Sequence, residues 1–135
     1  MDVKEFLVEG DSLVPVVGTS HYQPALVELS GRQGDEEIRI EKVAVLVPEP
    51  DNPYDPNAIA VHIDRQLVGY LSRDENRRWQ DVLQTLARHD HRAAAEAMIA
   101  GRGPGGGTSN LGVFLRLPTP TEARAQVGIR FGERG

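Results

Sequence analysis

The stretch "VPEPDNPYDPNAIAVHID", residues 47–64, joins a polar, proline-rich turn to an alternating segment. The turn carries Tyr54 among carboxylates and amides, and Pro53 and Pro56 restrict its backbone. The alternating segment, residues 58–63, is typical of a half-buried strand. Such a turn either reverses the chain or presents its side chains to a ligand. It therefore directs both the fold prediction and the search for a site.

Hydrophobic alternation predicts strands on both sides of this turn. Pro15 favours an edge position for the first strand, because proline cannot donate to a central ladder. In the long strand before the turn, the hydrophobic residues change from even-numbered to odd-numbered positions near Lys42, which predicts a bulge there. Asp64 and Arg65 link the next two strands as a tight hairpin. The predicted strands are residues 12–17, 38–47, 58–63, 66–71, 92–100 and 111–118.

Two helices are predicted between these strands. The long one lies in "SRDENRRWQDVLQTLARHD", residues 72–90, where Ser72 and Glu75 form a capping-box pattern. A shorter helix is expected in "TSHYQPALVELSG", residues 19–31, because apolar residues recur there at helical spacing. The tail, residues 119–135, is polar and proline-punctuated, and we expect it to add a last strand or to be disordered.

The order of these elements predicts a mainly β protein of the α+β type. No βαβ unit repeats, which argues against a doubly wound parallel sheet. Short strands joined by hairpins, with a helix between them, suit a small OB-like or SH3-like, partly open β-barrel with one long and one short helix. We expect one domain over residues 1–118, followed by the tail over residues 119–135.

Composition excludes several classes of function. The chain has 15 basic and 20 acidic residues and a net charge of −5, which argues against a broad basic face for duplex DNA. It has no cysteine, so no disulfide, thiolate metal site or cysteine nucleophile is available. No signal peptide or membrane-spanning segment is predicted, and we expect a soluble, cytoplasmic protein.

Other candidate motifs are weak. "GRGPGG", residues 101–106, matches G-x-G-x-x-G, but a strand-like segment follows where a phosphate-binding loop needs a helix, so a hairpin loop is the better interpretation. His89 and His91 would point in nearly opposite directions on a helix. Asp51 and Asp55 lack the spacing of an EF-hand. We therefore predict no catalytic residue, no metal and no small-molecule cofactor.

Three segments together resemble the HIRAN domain: "VVGTSHYQPAL", "VLVPEPDNPYDPNAIAVHID" and "LVGYLSRD". The resemblance spans about residues 13 to 117, and the pattern E-P-x-N-P-x-D-x-N-A-I-x-V is its most specific part. HIRAN domains occur at the amino terminus of DNA-repair helicase-like ATPases and as stand-alone bacterial proteins. The resemblance implies an OB-like barrel that binds the free 3′ end of single-stranded DNA.

The resemblance also implies roles for individual residues. Tyr54 would stack on the terminal base, Asp55 would accept a hydrogen bond from the 3′-hydroxyl, and Arg73 would contact a phosphate. Either His21 or Tyr22 would close the other side of the base. The full implied DNA-binding set is His21, Tyr22, Asp51, Asn52, Tyr54, Asp55, Tyr70 and Arg73, with Phe114 near the pocket.

The sequence departs from the family pattern at three positions, two of them in this set. The pattern has an arginine where Ser20 stands, a tyrosine at His21 and a histidine at Tyr70. These departures imply weaker or altered DNA affinity, with Tyr22 or Tyr70 as the stacking partner.

The leading hypothesis is a non-enzymatic module for 3′-hydroxyl ends, acting in DNA repair or replication-fork processing. One alternative is a protein-interaction module that binds a partner through an extra strand in residues 119–135. A second alternative is a metal-dependent hydrolase that uses Asp51 and Asp55.

Overall fold

Alternating hydrophobic residues form a seven-stranded sheet in the part of the chain that the computed structural model describes, residues 3–34, 36–101 and 110–132. The mainly β fold is thereby confirmed. The strands are β1 (Lys4–Leu7), β2 (Ser12–Pro15), β3 (Ile38–Pro48), β4 (Ile59–Ile63), β5 (Gln66–Tyr70), β6 (His91–Gly101) and β7 (Leu111–Leu117). The helices are a 3-10 helix (Thr19–Tyr22), α1 (Gln23–Ser30), α2 (Arg73–Arg88) and α3 (Pro120–Phe131).

The strands follow the order β2-β7-β6-β3-β4-β5, and neighbours on this path are antiparallel. β1, which the sequence analysis missed, pairs in parallel with the first part of β6. The two edge strands approach each other only through an isolated bridge between Val17 and Tyr70 in this part of the chain. The sheet is therefore not closed into a barrel. Pro15 lies on an edge strand, as predicted.

Gly69 allows this close approach of the two edges. A Cβ atom at Gly69 would lie 2.5 Å from the Val16 side chain and 2.6 Å from the Val17 carbonyl oxygen. Its φ of +154° is also a conformation that other residues rarely adopt. The glycine in "VGYL" therefore holds the end of β5 against the segment that follows β2.

The bulge predicted near Lys42 is wrong. β3 pairs with β6 in unbroken register from Ile38 to Leu46, so the even-numbered residues face the core throughout. Val43 is 50% exposed on the outer face. Valine is favoured on either face of a strand, which is why the valine pattern suggested a change of parity. The register shift instead lies between β4 and β5, at Val61 and His62.

α2 covers one side of the sheet with the face that its periodicity predicted. Ser72 caps its start by accepting a hydrogen bond from the Glu75 backbone N–H at 3.3 Å. The Trp79 indole N–H donates to Glu75 Oε2 at 3.0 Å. The buried apolar residues of α2 are Trp79, Val82, Leu83 and Leu86.

Residues 120–131 form α3, so the expected strand or disorder in the tail is wrong. Thr119 and Glu122 form a reciprocal capping box at its start. Ala123 and Val127 are part of the core. The Gln126 side chain also exchanges two hydrogen bonds with the backbone of Glu9, at 3.0 and 2.8 Å. This segment offers no strand edge to a partner. The predicted protein interaction through an extra strand in residues 119–135 therefore has no structural basis. No described helix is long and apolar enough to cross a membrane.

Candidate functional site

Asn52 organises the polar turn between β3 and β4. Its side-chain oxygen accepts hydrogen bonds from the backbone N–H groups of Tyr54 and Asp55, at 2.9 and 3.1 Å. Its amide group donates to Glu49 Oε1 at 3.0 Å. Below these contacts, the Glu49 N–H donates to the Ala58 carbonyl at 2.9 Å and closes the base of the turn. The Asn52 side chain therefore shapes the turn from within.

Tyr54 and Asp55 stand next to each other at the tip of this ordered turn. The Tyr54 side chain is 89% exposed and is thus free to stack on a flat partner. Asp55 is half-buried, and its Oδ1 accepts a hydrogen bond from the Asn57 N–H at 2.8 Å. Asp51 is exposed on the same turn. The turn therefore combines an accessible ring with an anchored carboxylate.

α2 supports the turn from below through two polar side chains that the sequence analysis missed. The Asn76 amide donates to Asp55 Oδ2 at 3.4 Å, and Asn76 Oδ1 accepts from the Ile59 N–H at 3.1 Å. One helical turn later, Gln80 donates to the Asn57 carbonyl at 2.8 Å. A polar residue on the same helix face as the buried Trp79 is the sequence signal that could have identified Asn76.

Glu49 connects the turn to Tyr70 at the end of β5. The Tyr70 hydroxyl donates to Glu49 Oε1 at 3.0 Å, the same oxygen that accepts from Asn52. Burial, the hydrogen bond and negative charge of Glu49, and the nearby Tyr22 hydroxyl together raise the pKa of Tyr70 to about 12. Tyr22, Asn52 and Tyr70 are therefore brought into one polar network. Glu49, the central residue of this network, is not among the site residues predicted from the sequence.

His21 and Tyr22 lie in the 3-10 helix that follows the bridge at Val17. Gly18 opens this helix with a φ of +78°. His21 is exposed, and its ring meets the Tyr22 ring edge-on at 6.4 Å. Tyr22 therefore links this helix to Tyr70, and His21 lies exposed beside it.

The remaining predicted residues differ in accessibility. Arg73 is exposed at the start of α2, and within the described ranges it makes no ion pair. Phe114 is half-buried in β7, opposite Pro15 and Met98 in the ladder. Arg73 is therefore available to an anion, whereas Phe114 is part of the sheet.

The other motifs form no second site in the described residues. His89 stacks on Phe131 at 4.4 Å, and His91 meets the same ring edge-on at 5.0 Å. Among the residues that the structure describes, no three His, Asp or Glu side chains are grouped so that they could hold a metal ion. Residues 102–106 of the glycine-rich motif lie outside the described residues.

Comparison with known proteins agrees with the motif pattern. The sequence matches the family model of the HIRAN domain over residues 9–103. The structure matches the crystal structure of the HIRAN domain of human HLTF with a TM-score of 0.43 and 16% sequence identity, covering 93% of this chain and 91% of that one. No curated protein sequence matches the chain.

Proposed function

The chain belongs to the HIRAN domain family, and we propose that its polar turn recognises the 3′-hydroxyl end of single-stranded DNA. Family membership supports a DNA-binding module in general. The observation that carries the finer proposal is the exposed Tyr54 ring beside the anchored Asp55 carboxylate. The module acts by binding and has no catalytic step of its own.

Tyr54 supplies the stacking surface for the terminal base. Stacking of a base on an aromatic ring contributes about 1–3 kcal/mol and does not depend on the identity of the base. Because the Tyr54 backbone is held by Asn52, the ring is presented with little loss of backbone entropy on binding. The site therefore accepts any terminal base.

Asp55 supplies the selectivity for a free hydroxyl. Each carboxylate oxygen has two lone pairs, and each already accepts one hydrogen bond, from Asn57 and from Asn76. One lone pair on each oxygen is left for a 3′-hydroxyl donor. A 3′-phosphate would instead bring like charges together, with Asp51 adding to the repulsion. Asn52 contributes to the proposed site by holding the turn in shape.

The other predicted residues are proposed to complete the site. Tyr22 and Tyr70 are proposed to close the far side of the terminal base, with His21 at the edge of that surface. Arg73 is proposed to contact a phosphate. A module with this specificity suits DNA repair or replication-fork processing, where free 3′ ends arise.

Fluorescence anisotropy with matched single-stranded oligonucleotides tests the proposal. We expect tighter binding to a 3′-hydroxyl end than to a 3′-phosphate end. Tyr54→Ala should weaken binding about tenfold, because it removes the stacking contribution. Tyr54→Phe is the matched control, since it keeps the ring and should keep the affinity.

Two results would contradict the assignment. Equal affinity for the two kinds of end would remove the role of Asp55. An unaltered affinity of Tyr54→Ala would remove the stacking role.

A further inference from the structure

We propose that Asn76 is the positioning residue for the Asp55 carboxylate, and so sets the preference for a 3′-hydroxyl. This inference rests on the function proposed above. Asn76 is 3% exposed in the first turns of α2, so it cannot itself contact a strand of DNA. It acts through its contact with Asp55.

The contacts of Asn76 fix the direction of its amide group. Its Oδ1 faces the Ile59 N–H at 3.1 Å, a donor that needs an acceptor. Its Nδ2 must then face Asp55 Oδ2, where it donates at 3.4 Å. Both partners are therefore satisfied in only one orientation of the amide.

Asp55 is consequently held at both oxygens. Asn57 binds Oδ1 from the turn, and Asn76 binds Oδ2 from the helix. With both oxygens engaged, the carboxylate cannot rotate freely, and the remaining lone pairs keep a constant direction. A neutral donor at residue 76 achieves this without cancelling the negative charge that a hydroxyl donor favours.

Exchange of this donor for an acid gives the sharpest test. In Asn76→Asp, the new carboxylate still accepts from Ile59 but faces Asp55 with like charge. Two such carboxyls share a proton, because the pKa of one of them is raised. The shared proton replaces the lost N–H donor at low pH, and its loss at high pH drives the two groups apart.

Other ionisable groups lie on the elements packed around this pair. They are present in wild type and variant alike, so their contribution to the pH dependence of stability cancels when the two proteins are compared. They are Glu49, Asp51, Tyr70, Arg73, Asp74 and Glu75.

The first measurement is thermal unfolding of wild type and Asn76→Asp from about pH 5 to about pH 8, a window above the usual range of a free aspartate. When folding raises the pKa of a carboxyl group, the folded protein loses stability as the pH rises through that pKa. We expect the unfolding temperature of the variant to fall below that of wild type as the pH rises. A difference that is constant with pH would overturn the contact.

The second measurement compares oligonucleotides that end in a 3′-hydroxyl or a 3′-hydrogen, neither of which titrates in this window. Wild type should prefer the 3′-hydroxyl about tenfold, the ratio expected for one hydrogen bond to a charged group. Asn76→Asp should keep this preference at low pH and lose it at high pH. Gln80→Ala is the matched control: it also removes a bond between α2 and the turn, but does not touch Asp55, and should keep the preference.

The outcomes separate the two proposals. If wild type binds the 3′-hydroxyl and 3′-hydrogen ends equally, the proposed function is wrong, and this inference is wrong with it. A wild type with preference, together with a variant that retains it fully at high pH, overturns only the role of Asn76. If Asn76→Asp does not fold, the exchange Asp55→Asn with Asn76→Asp restores a donor and an acceptor. Recovery of cooperative unfolding by this exchange supports the contact, and its absence contradicts it.

Discussion

Gly69 decides how closely β5 approaches the residues that follow β2. The missing side chain leaves room for Val16 and for the Val17 carbonyl, and the bridge from Val17 to Tyr70 forms beside it. Because Tyr70 is part of the polar network, a single glycine links the packing of the sheet to the geometry of the site.

Gly69→Ala should therefore lower the free energy of unfolding by at least about 2 kcal/mol, through overpacking and an unfavourable φ. Urea denaturation followed by circular dichroism measures this change. Gly112→Ala is the control, because a Cβ there would meet its nearest neighbour, Phe114, at 3.5 Å, an ordinary contact. Equal effects of the two substitutions would contradict the close approach at Gly69.

The pKa of Tyr70 reports on the same network. Burial and Glu49 favour the neutral phenol, which raises its pKa to about 12 from a usual value of 10.0. Glu49→Gln removes the negative charge, so the pKa of Tyr70 should fall, although burial continues to raise it. Near-ultraviolet absorbance titration of the phenolate measures the shift, and Tyr70→Phe identifies the step by removing it.

The sign of the associated stability change follows from the same shift. A phenol with a raised pKa in the folded state stabilises the protein below pH 10 and loses that contribution as the pH rises towards 12. Glu49→Gln should therefore reduce the alkaline loss of stability. An unchanged phenolate titration in this variant would show that Glu49 does not act on Tyr70.

Among the elements, α3 is an integral part of the core rather than a tail. Its buried residues pack with the main cluster, and Phe131 contacts Phe6 and His89. Its start and end are marked by a capping box at Thr119 and by Gly132 in a left-handed conformation. Removal of residues 119–135 would therefore expose core surface, and would not simply delete an interaction segment.

Val127→Ala measures this contribution. It removes two buried methyl groups and leaves a cavity, so the free energy of unfolding should fall by about 2 kcal/mol. Ile129→Ala on the same helix is the control, because Ile129 is 87% exposed and its loss should change stability little. If both variants unfold at the same urea concentration as wild type, α3 does not pack as described.

The elements that the sequence predicted correctly carry strong local signals. α2 has a periodic apolar face and a cap, and β4 and β5 are joined by a turn in which Asp64 and Arg65 both have positive φ. The missed elements depend on distant partners. β1 is a strand of four residues that pairs with β6 far along the chain, and α3 is stabilised by packing in spite of its low intrinsic propensity around Gly128.

The residues of the candidate site also differ in how far they could be predicted from the sequence. Tyr54 and Asp55 could be predicted because they belong to one short motif whose residues are adjacent in the chain. The periodicity of α2 could have placed Asn76 on its buried face, and Glu49 lies in the same motif, but the hydrogen-bond partners of both are set only when α2 and β5 are brought to the turn. Spacing along the sequence carries no information about such tertiary hydrogen bonds.

For the whole molecule, a net charge of −5 limits how DNA can be bound. Affinity that depends on stacking and on one hydroxyl needs few phosphate contacts. We expect a shallow salt dependence, with a log–log slope of about −0.7 for each phosphate contacted, and about −2 for three.

Arg73→Ala should weaken binding and reduce that slope by about 0.7, since it removes one phosphate contact. Anisotropy titrations at several salt concentrations measure both effects. Arg124→Ala makes the same charge change on α3 and should leave the slope unchanged. A steep slope in the wild type would indicate a broad electrostatic interface instead of end recognition.

The bridge between Val17 and Tyr70 consists of two backbone hydrogen bonds, at 2.8 and 2.9 Å. It can open at a much lower free-energy cost than the long β3–β6 ladder. Opening would carry the 3-10 helix, with Tyr22, away from Tyr70. If a nucleotide binds to both rings as proposed, it would link the two sheet edges, and binding would then shift the equilibrium towards the closed bridge.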